Sequence, residues 1–163
     1  MERKMRRFRQ ELSETESIEI LRNGKVAVLA VSGENDYPYA VPVNYVYDDG
    51  YVYFHSAAEG HKIDALKSNP KCSLCVIEKD DIIPEKFTTF FRSVIAFGEA
   101  EFIRKEEEKV NVLKFLCKKY SPGIDPTAEI QKCLNYVAIL RIKLEKATGK
   151  EAIELVRQRG STL

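Results

Sequence analysis

Charge of either sign in excess, a long apolar run and histidine are what this 163-residue chain lacks. It carries 26 Lys and Arg against 25 Asp and Glu, a formal net charge of +1. That balance gives no global reason to expect nucleic acid or an acidic partner. No apolar stretch is long enough to cross a bilayer as a helix. The N-terminus is basic, but no apolar segment follows it, so no signal peptide is visible and the expected location is the cytoplasm. There are no internal repeats and no low-complexity segment. Only two histidines occur, and both fall in Tyr53–Lys62, YFHSAAEGHK.

Four cysteines are present, and Cys72-Ser73-Leu74-Cys75 has the spacing of a zinc or redox pair. Its surroundings point elsewhere. KCSLCVIE reads as a strand, on which an offset of three sends the thiols to opposite faces. A redox pair usually opens a helix. Cys117 and Cys133 lie sixteen positions apart, unlike a zinc knuckle. Buried, reduced thiols and no metal site are the expectation.

What is there is enough for one domain: 44% hydrophobic and 31% charged residues. Residues 1–12 hold Arg3, Lys4, Arg6, Arg7 and Arg9, a basic arm. Without interleaved aromatics or a further basic patch, it reads as a solvated or partner-draping tail rather than a nucleic-acid arm. Residues 13–156 form the expected domain, and 157–163 a tail.

Ser13-Glu14-Thr15-Glu16 is a capping box opening an amphipathic helix, which Asn23-Gly24 closes with residues that tolerate left-handed geometry. KVAVLAVS (25–32) is a continuous apolar run, typical of a covered strand. PYAVPVNYVY (38–47) alternates, Asp48-Asp49-Gly50 turns, and Tyr51–His55 returns, a hairpin signature. Pro42 cannot donate to a ladder, so it marks an edge or a bulge. A short helix over 60–69 and a strand over 71–78 follow. KDDIIPEK (79–86) reads as a charged loop, and 87–103 as a long β run bent near Gly98. Helices are expected near 105–120 and 126–133, and a last strand over 136–144. Six β segments joined mostly by hairpins give a mainly β, α+β chain: a small six-stranded antiparallel barrel with peripheral helices.

The histidine stretch lies where a strand gives way to a helix. The first N–H groups of a helix have no internal partner and the helix dipole favours negative charge, so this corner suits an anion. Ser56 adds a hydroxyl, Lys62 an ammonium, and Ala57, Ala58 and Gly60 leave room. An ordinary strand–helix connection fits the same residues, and the pattern is not a Walker loop.

The order PYAVPVNY, hairpin, YFHSA, GHK, NP, then FRSVIAFGEAEFI, resembles the pyridoxamine-phosphate-oxidase-like flavin proteins. It is most similar to their nitroimidazole-reductase group. The resemblance runs from about residue 5 to about residue 154. It implies a split β-barrel binding FMN between the subunits of a homodimer. Carried onto this chain, phosphate contacts fall on His55, Ser56 and Lys62, with His61 nearby. Backbone around Val41, Pro42, Val43 and Asn44 meets the ring edge, and Phe91, Arg92 and Ser93 on the long strand are further contacts. The implied activity is an FMN-dependent oxidoreductase taking electrons from NAD(P)H or another reductant. Its small substrate would be a nitroaromatic such as a 5-nitroimidazole, and His55 is a candidate proton donor. Three alternatives stay open: a non-catalytic flavin- or haem-binding stress protein, with His55 or His61 as axial ligand; pyridoxamine-phosphate oxidation; and a barrel that binds RNA or DNA through its basic tail.

Overall fold

The change of hydrophobic period after Gly24 is where helix hands over to sheet. The computed structural model describes residues 4–160. Helix α1 (Glu14–Asn23) opens on the expected capping box. Ser13 Oγ accepts the Glu16 N–H at 3.3 Å, and the Glu16 carboxylate accepts the Ser13 N–H at 2.9 Å. At its other end Gly24 has φ −59°, so no left-handed turn is needed. Glycine is required there for space: a Cβ would lie 2.6 Å from Tyr45 Oη and 2.6 Å from Val76.

Seven strands follow rather than six: β1 (Val26–Ser32), β2 (Pro38–Asn44), β3 (Val46–Asp48), β4 (Tyr51–Ala57), β5 (Lys71–Ile83), β6 (Thr88–Phe102) and β7 (Val137–Glu151). They form one antiparallel sheet in the order β2-β1-β5-β6-β7-β4-β3. The alternating run 38–47 is therefore two strands. Its first half is one edge of the sheet and its second half the other. Only Tyr45 separates them, so the two edges must meet there, and the sheet curls into a split barrel. Pro42 sits on an edge strand whose register with β1 is unbroken, so it marks an edge and not a bulge.

The joint at Tyr45 is held from helix α3 (Glu106–Tyr120). The Tyr120 hydroxyl accepts the Tyr45 N–H at 2.8 Å and lies 2.6 Å from the carbonyls of Lys25 and Tyr45. The Lys119 ammonium donates to the carbonyls of Arg22, Gly24 and Tyr45. Burial lowers the Lys119 pKa. Tyr45 Oη donates to Leu21 O at 2.6 Å.

Of the expected loop 79–86, only Pro84–Lys86 turns, as a short 3-10 helix; the rest is strand. β5 continues to Ile83 and pairs with β6, Lys79 opposite Arg92 through to Ile83 opposite Thr88, past a bulge between Ile77 and Lys79. β1 pairs β5 only over Cys72–Cys75, so this ribbon projects beyond it. The last strand also runs further than expected, to Glu151, and helix α5 (Ile153–Gly160) occupies the start of the expected tail. The basic arm is fixed at its end. Gln10 is buried and donates to Glu151 O, Leu12 N donates to Gly149 O, and Glu11 bridges Lys150. Arg3 lies outside the described residues.

The inner sheet face packs Leu29, Phe54, Leu74, Val94 and Ile142 against α1 and helix α2 (His61–Ser68). A second core sits on the outer face near Val46 and Ile139, under α3 and helix α4 (Thr127–Cys133). Cys72 points inward and Cys75 outward, and all four cysteines are free thiols. No described helix is long and apolar enough to cross a membrane.

Candidate functional site

β4 is covered by β3 only from Tyr51 to Tyr53, while its other side is paired with β7 throughout. Phe54–Ala57 therefore shows a bare edge. So does β2, whose only strand partner among the described residues is β1. The two bare edges start from the joint at Tyr45 and diverge. The slot between them ends on α2, and Gly60 makes that ending: its φ of 123° is open to glycine alone among common residues. Gly60 O receives the N–H groups of Ile63 and Asp64, leaving those of His61 and Lys62 without a partner inside the helix.

The pleat separates the residues expected to act together. Val52, Phe54 and Ser56 face the barrel interior, whereas Tyr51, Tyr53 and His55 face out. The side chains of His55 and Ser56 thus leave opposite faces of β4. The expectation that both hold one phosphate side by side does not match this geometry. Ser56 is 6% exposed, and its Oγ has no hydrogen-bond partner among the described residues. A buried hydroxyl without a partner is costly in a finished core. The outer edge of the His55 ring is open to solvent, but its packed side is desolvated, which lowers its pKa. That shift favours its uncharged form.

His61 stacks on Tyr39 of β2, with ring centroids 4.2 Å apart and planes at 6°. It also lies over Gly33, where a Cβ would come 2.9 Å from its Nε2. This ring packs α2 against the β1–β2 turn. Lys62 remains the cation of the corner. On β2, Val41 is half-buried, Val43 buried, and Pro42 and Asn44 exposed. Asn44 Nδ2 donates to Lys25 O at 3.2 Å.

Phe91, Arg92 and Ser93 are not brought to this slot within one chain. The β6 residue in line with Phe54, through Leu140, is Phe102. Roughly 30 Å of strand separates it from Arg92. Arg92 is engaged as well. It meets Glu78 at 3.0 Å, Glu16 at 3.4 Å and the buried Glu151 at 3.4 Å, and Arg159 closes the group on Glu16 and Glu151. Its charge is matched inside the subunit, against the expectation that it would hold phosphate or the ring. A cavity of about 790 Å³ lies over this carboxylate group and not at the slot. The volume belongs to a trough of fixed ion pairs, while the slot is open on one side and encloses little by itself.

Sequence reasoning missed Glu151, the His61–Tyr39 stack and the Lys119–Tyr120 clamp. Each joins segments far apart in sequence, and no local pattern announces them.

The barrel's outer face carries Val26, Val28, Ile77 and Ile95, all exposed, around Cys75. Val28, Cys75 and Ile95 stand in one cross-strand row.

A family model described as pyridoxamine 5'-phosphate oxidase matches residues 13–151. No curated protein matches the chain significantly. Among solved structures, a proposed 5-nitroimidazole antibiotic resistance protein from Bacteroides thetaiotaomicron is 22% identical over 86% of each chain, with a TM-score of 0.73. An FAD-binding protein from Mesorhizobium loti is 25% identical over 88% of this chain and 97% of its own, with a TM-score of 0.66. A flavocytochrome from Azotobacter vinelandii is 22% identical over 91% and 72%, with a TM-score of 0.76.

Proposed function

The chain belongs to the pyridoxamine 5'-phosphate oxidase family, and from that premise we propose that it is an FMN-dependent oxidoreductase working as a homodimer. The observation that carries the reading is the slot between two bare strand edges, closed at one end by a glycine-opened helix. A flavin mononucleotide needs one cationic anion seat and one apolar slot lined by backbone groups. The N–H groups of His61 and Lys62, the Lys62 ammonium and the unpartnered Ser56 hydroxyl fit the phosphate end. The free edge of β2 at Val41–Asn44 fits the ring end. The FAD-binding relative from Mesorhizobium loti supports a flavin as the class of ligand.

A bound flavin supplies hydride acceptance and donation. The residues of this chain bind, orient and shield. Lys62 and the α2 N-terminus neutralise the phosphate, and the β2 edge fixes the ring plane. His55 stands on the outer side of β4, where its imidazole can take a proton from solvent and, as imidazolium, hand it to a substrate. The apolar outer face supports the homodimer, because a second copy would bury it and wall the slot. The proposed reductant is NAD(P)H and the proposed substrate a small nitroaromatic, in keeping with the Bacteroides relative.

The test is a visible spectrum of the purified protein, followed by NAD(P)H oxidation with and without a 5-nitroimidazole. A flavin spectrum with nitroaromatic-dependent oxidation is expected. A colourless protein that binds no added FMN overturns the reading. Flavin without turnover reduces it to a carrier.

A further inference from the structure

Cys117 and Cys133, sixteen positions apart in sequence, stand on helices that touch, α3 and α4. α3 buries Val112, Leu113 and Leu116, and α4 buries Ile130, all in the outer-face core with Val46 and Ile139. Cys117 follows Leu113 by one turn and Cys133 follows Ile130 by nearly one, so each thiol lies on the flank of its helix that serves this core. Cys133 packs on the same core, its Sγ 3.7 Å from Ile130 O. Both are half-buried free thiols.

The two sulfurs feel each other. Burial raises the Cys133 thiol, the Glu129 carboxylate raises it further, and the Cys117 sulfur adds to both. Between part-exposed groups such an influence fades beyond about 10 Å. A disulfide needs Cα atoms about 4.4–6.8 Å apart, and α4 is built to adjust. It has seven residues, of which Ile130 alone is buried, and it lies between the exposed loop 121–125 and Tyr136, 76% exposed. An element with so few buried side chains shifts easily.

Cys72 and Cys75 offer the contrast. They leave opposite faces of β5, and burial pushes the Cys72 thiol up to about 12. A pair so placed neither bridges nor ionises readily. The α3–α4 pair also adjoins something that matters. Cys117 O accepts the Ser121 N–H at 2.8 Å, which places it in the last turn of α3. Lys119 and Tyr120 of that turn hold the joint at Tyr45.

We infer that Cys117 and Cys133 form an oxidation site: hydrogen peroxide joins them in a disulfide that staples α4 to the turn holding the Tyr45 joint. Cys133 is kept protonated, so the first attack falls to Cys117. Its thiolate sulfur takes one oxygen of the peroxide. The S–O bond forms, the O–O bond breaks, and the other oxygen takes up a proton and leaves as water. The Cys133 sulfur then attacks the Cys117 sulfenic acid. The S–S bond forms, the S–O bond breaks, and the Cys133 proton leaves with the hydroxyl as a second water. The two thiols lose two electrons, and the peroxide is reduced to two waters. No bound flavin is needed for either step.

The test treats the purified protein with hydrogen peroxide, alkylates the remaining thiols under denaturing conditions and weighs the tryptic peptides. Expected is a species joining 115–118 to 133–141, two hydrogens lighter than its reduced parts and split by dithiothreitol, with Cys72 and Cys75 recovered alkylated. Cys133→Ser removes the second thiol. Dimedone, a trap for sulfenic acid, should then label Cys117 about tenfold more than in the parent. In the oxidised parent the Tyr45 amide, which donates to the Tyr120 hydroxyl, should exchange about tenfold more slowly, and dithiothreitol should reverse that. Cys117 and Cys133 recovered unlinked, a bridge through Cys72 or Cys75 in their place, equal dimedone labelling of parent and variant, or a bridge that leaves Tyr45 exchange unchanged overturns the inference.

Discussion

Lys62 and Ser56 are separable by experiment because one is charged at a helix start and the other is buried. Lys62→Ala is expected to lower FMN affinity at least tenfold, a loss of about 1.4 kcal/mol or more. Ser56→Ala removes a hydroxyl that has no partner in the subunit. Its FMN-free form should melt no lower than the parent, or gain up to about 1 kcal/mol, while its FMN affinity falls. Calorimetry with and without FMN reads both, and a destabilised FMN-free form would show that the hydroxyl serves the fold. His55 gives a pH test. Its folded pKa lies below the unfolded 6.5. Between the two values the unfolded chain binds the extra proton, so this residue's contribution falls as pH drops from 6.5 through the folded value. His55→Gln should flatten that part of a urea-stability profile. At this scale the sequence made the helix-opening corner readable, since glycine and lysine beside a helix start have a local meaning. It could not reveal Arg92, whose carboxylate partners come from α1, β5 and β7. Arg92→Met leaves Glu151 buried with Arg159 alone and should cost about 2 kcal/mol in urea without changing FMN retention.

Among the elements, those with their own punctuation were legible. The capping box before α1 and the Asp49-Gly50 turn between β3 and β4 stand as read. The ribbon did not, because both of its faces meet solvent and KDDIIPEK loses the alternation that burial imposes. Nor did the break at Tyr45: the period of two runs straight through it, and only the pairing shows that β2 and β3 serve opposite edges. That joint is set by α3, so the β2 edge is only as well placed as the Tyr120 hydroxyl. Tyr120→Phe strands the Tyr45 N–H and should cost about 1–3 kcal/mol. Because it loosens the ring end of the slot rather than the phosphate end, FMN affinity should fall while the affinity for free phosphate stays. Competition of phosphate against FMN measures the difference.

For the whole molecule, the barrel was foreseen from six β segments joined by hairpins, but the bare outer face was not. No sequence period states which outer face is bare. Ile77 is 60% exposed in the single chain, so Ile77→Asp should leave subunit stability within about 0.5 kcal/mol yet shift sedimentation from dimer to monomer. The strand order has a further consequence, for the chain while it is being made. β4 pairs with β7, and Tyr51 waits for Lys143, roughly ninety residues later, or about 5–20 s of synthesis. Through that interval the nascent barrel can form its β1, β2, β5 and β6 side and the β3–β4 hairpin, while the β7-facing edge of Tyr51-Val52-Tyr53-Phe54 stays unpaired. Ribosome-bound chains ending before residue 137 should therefore engage hydrophobic chaperones and yield to protease at that strand, and chains released past residue 151 should not.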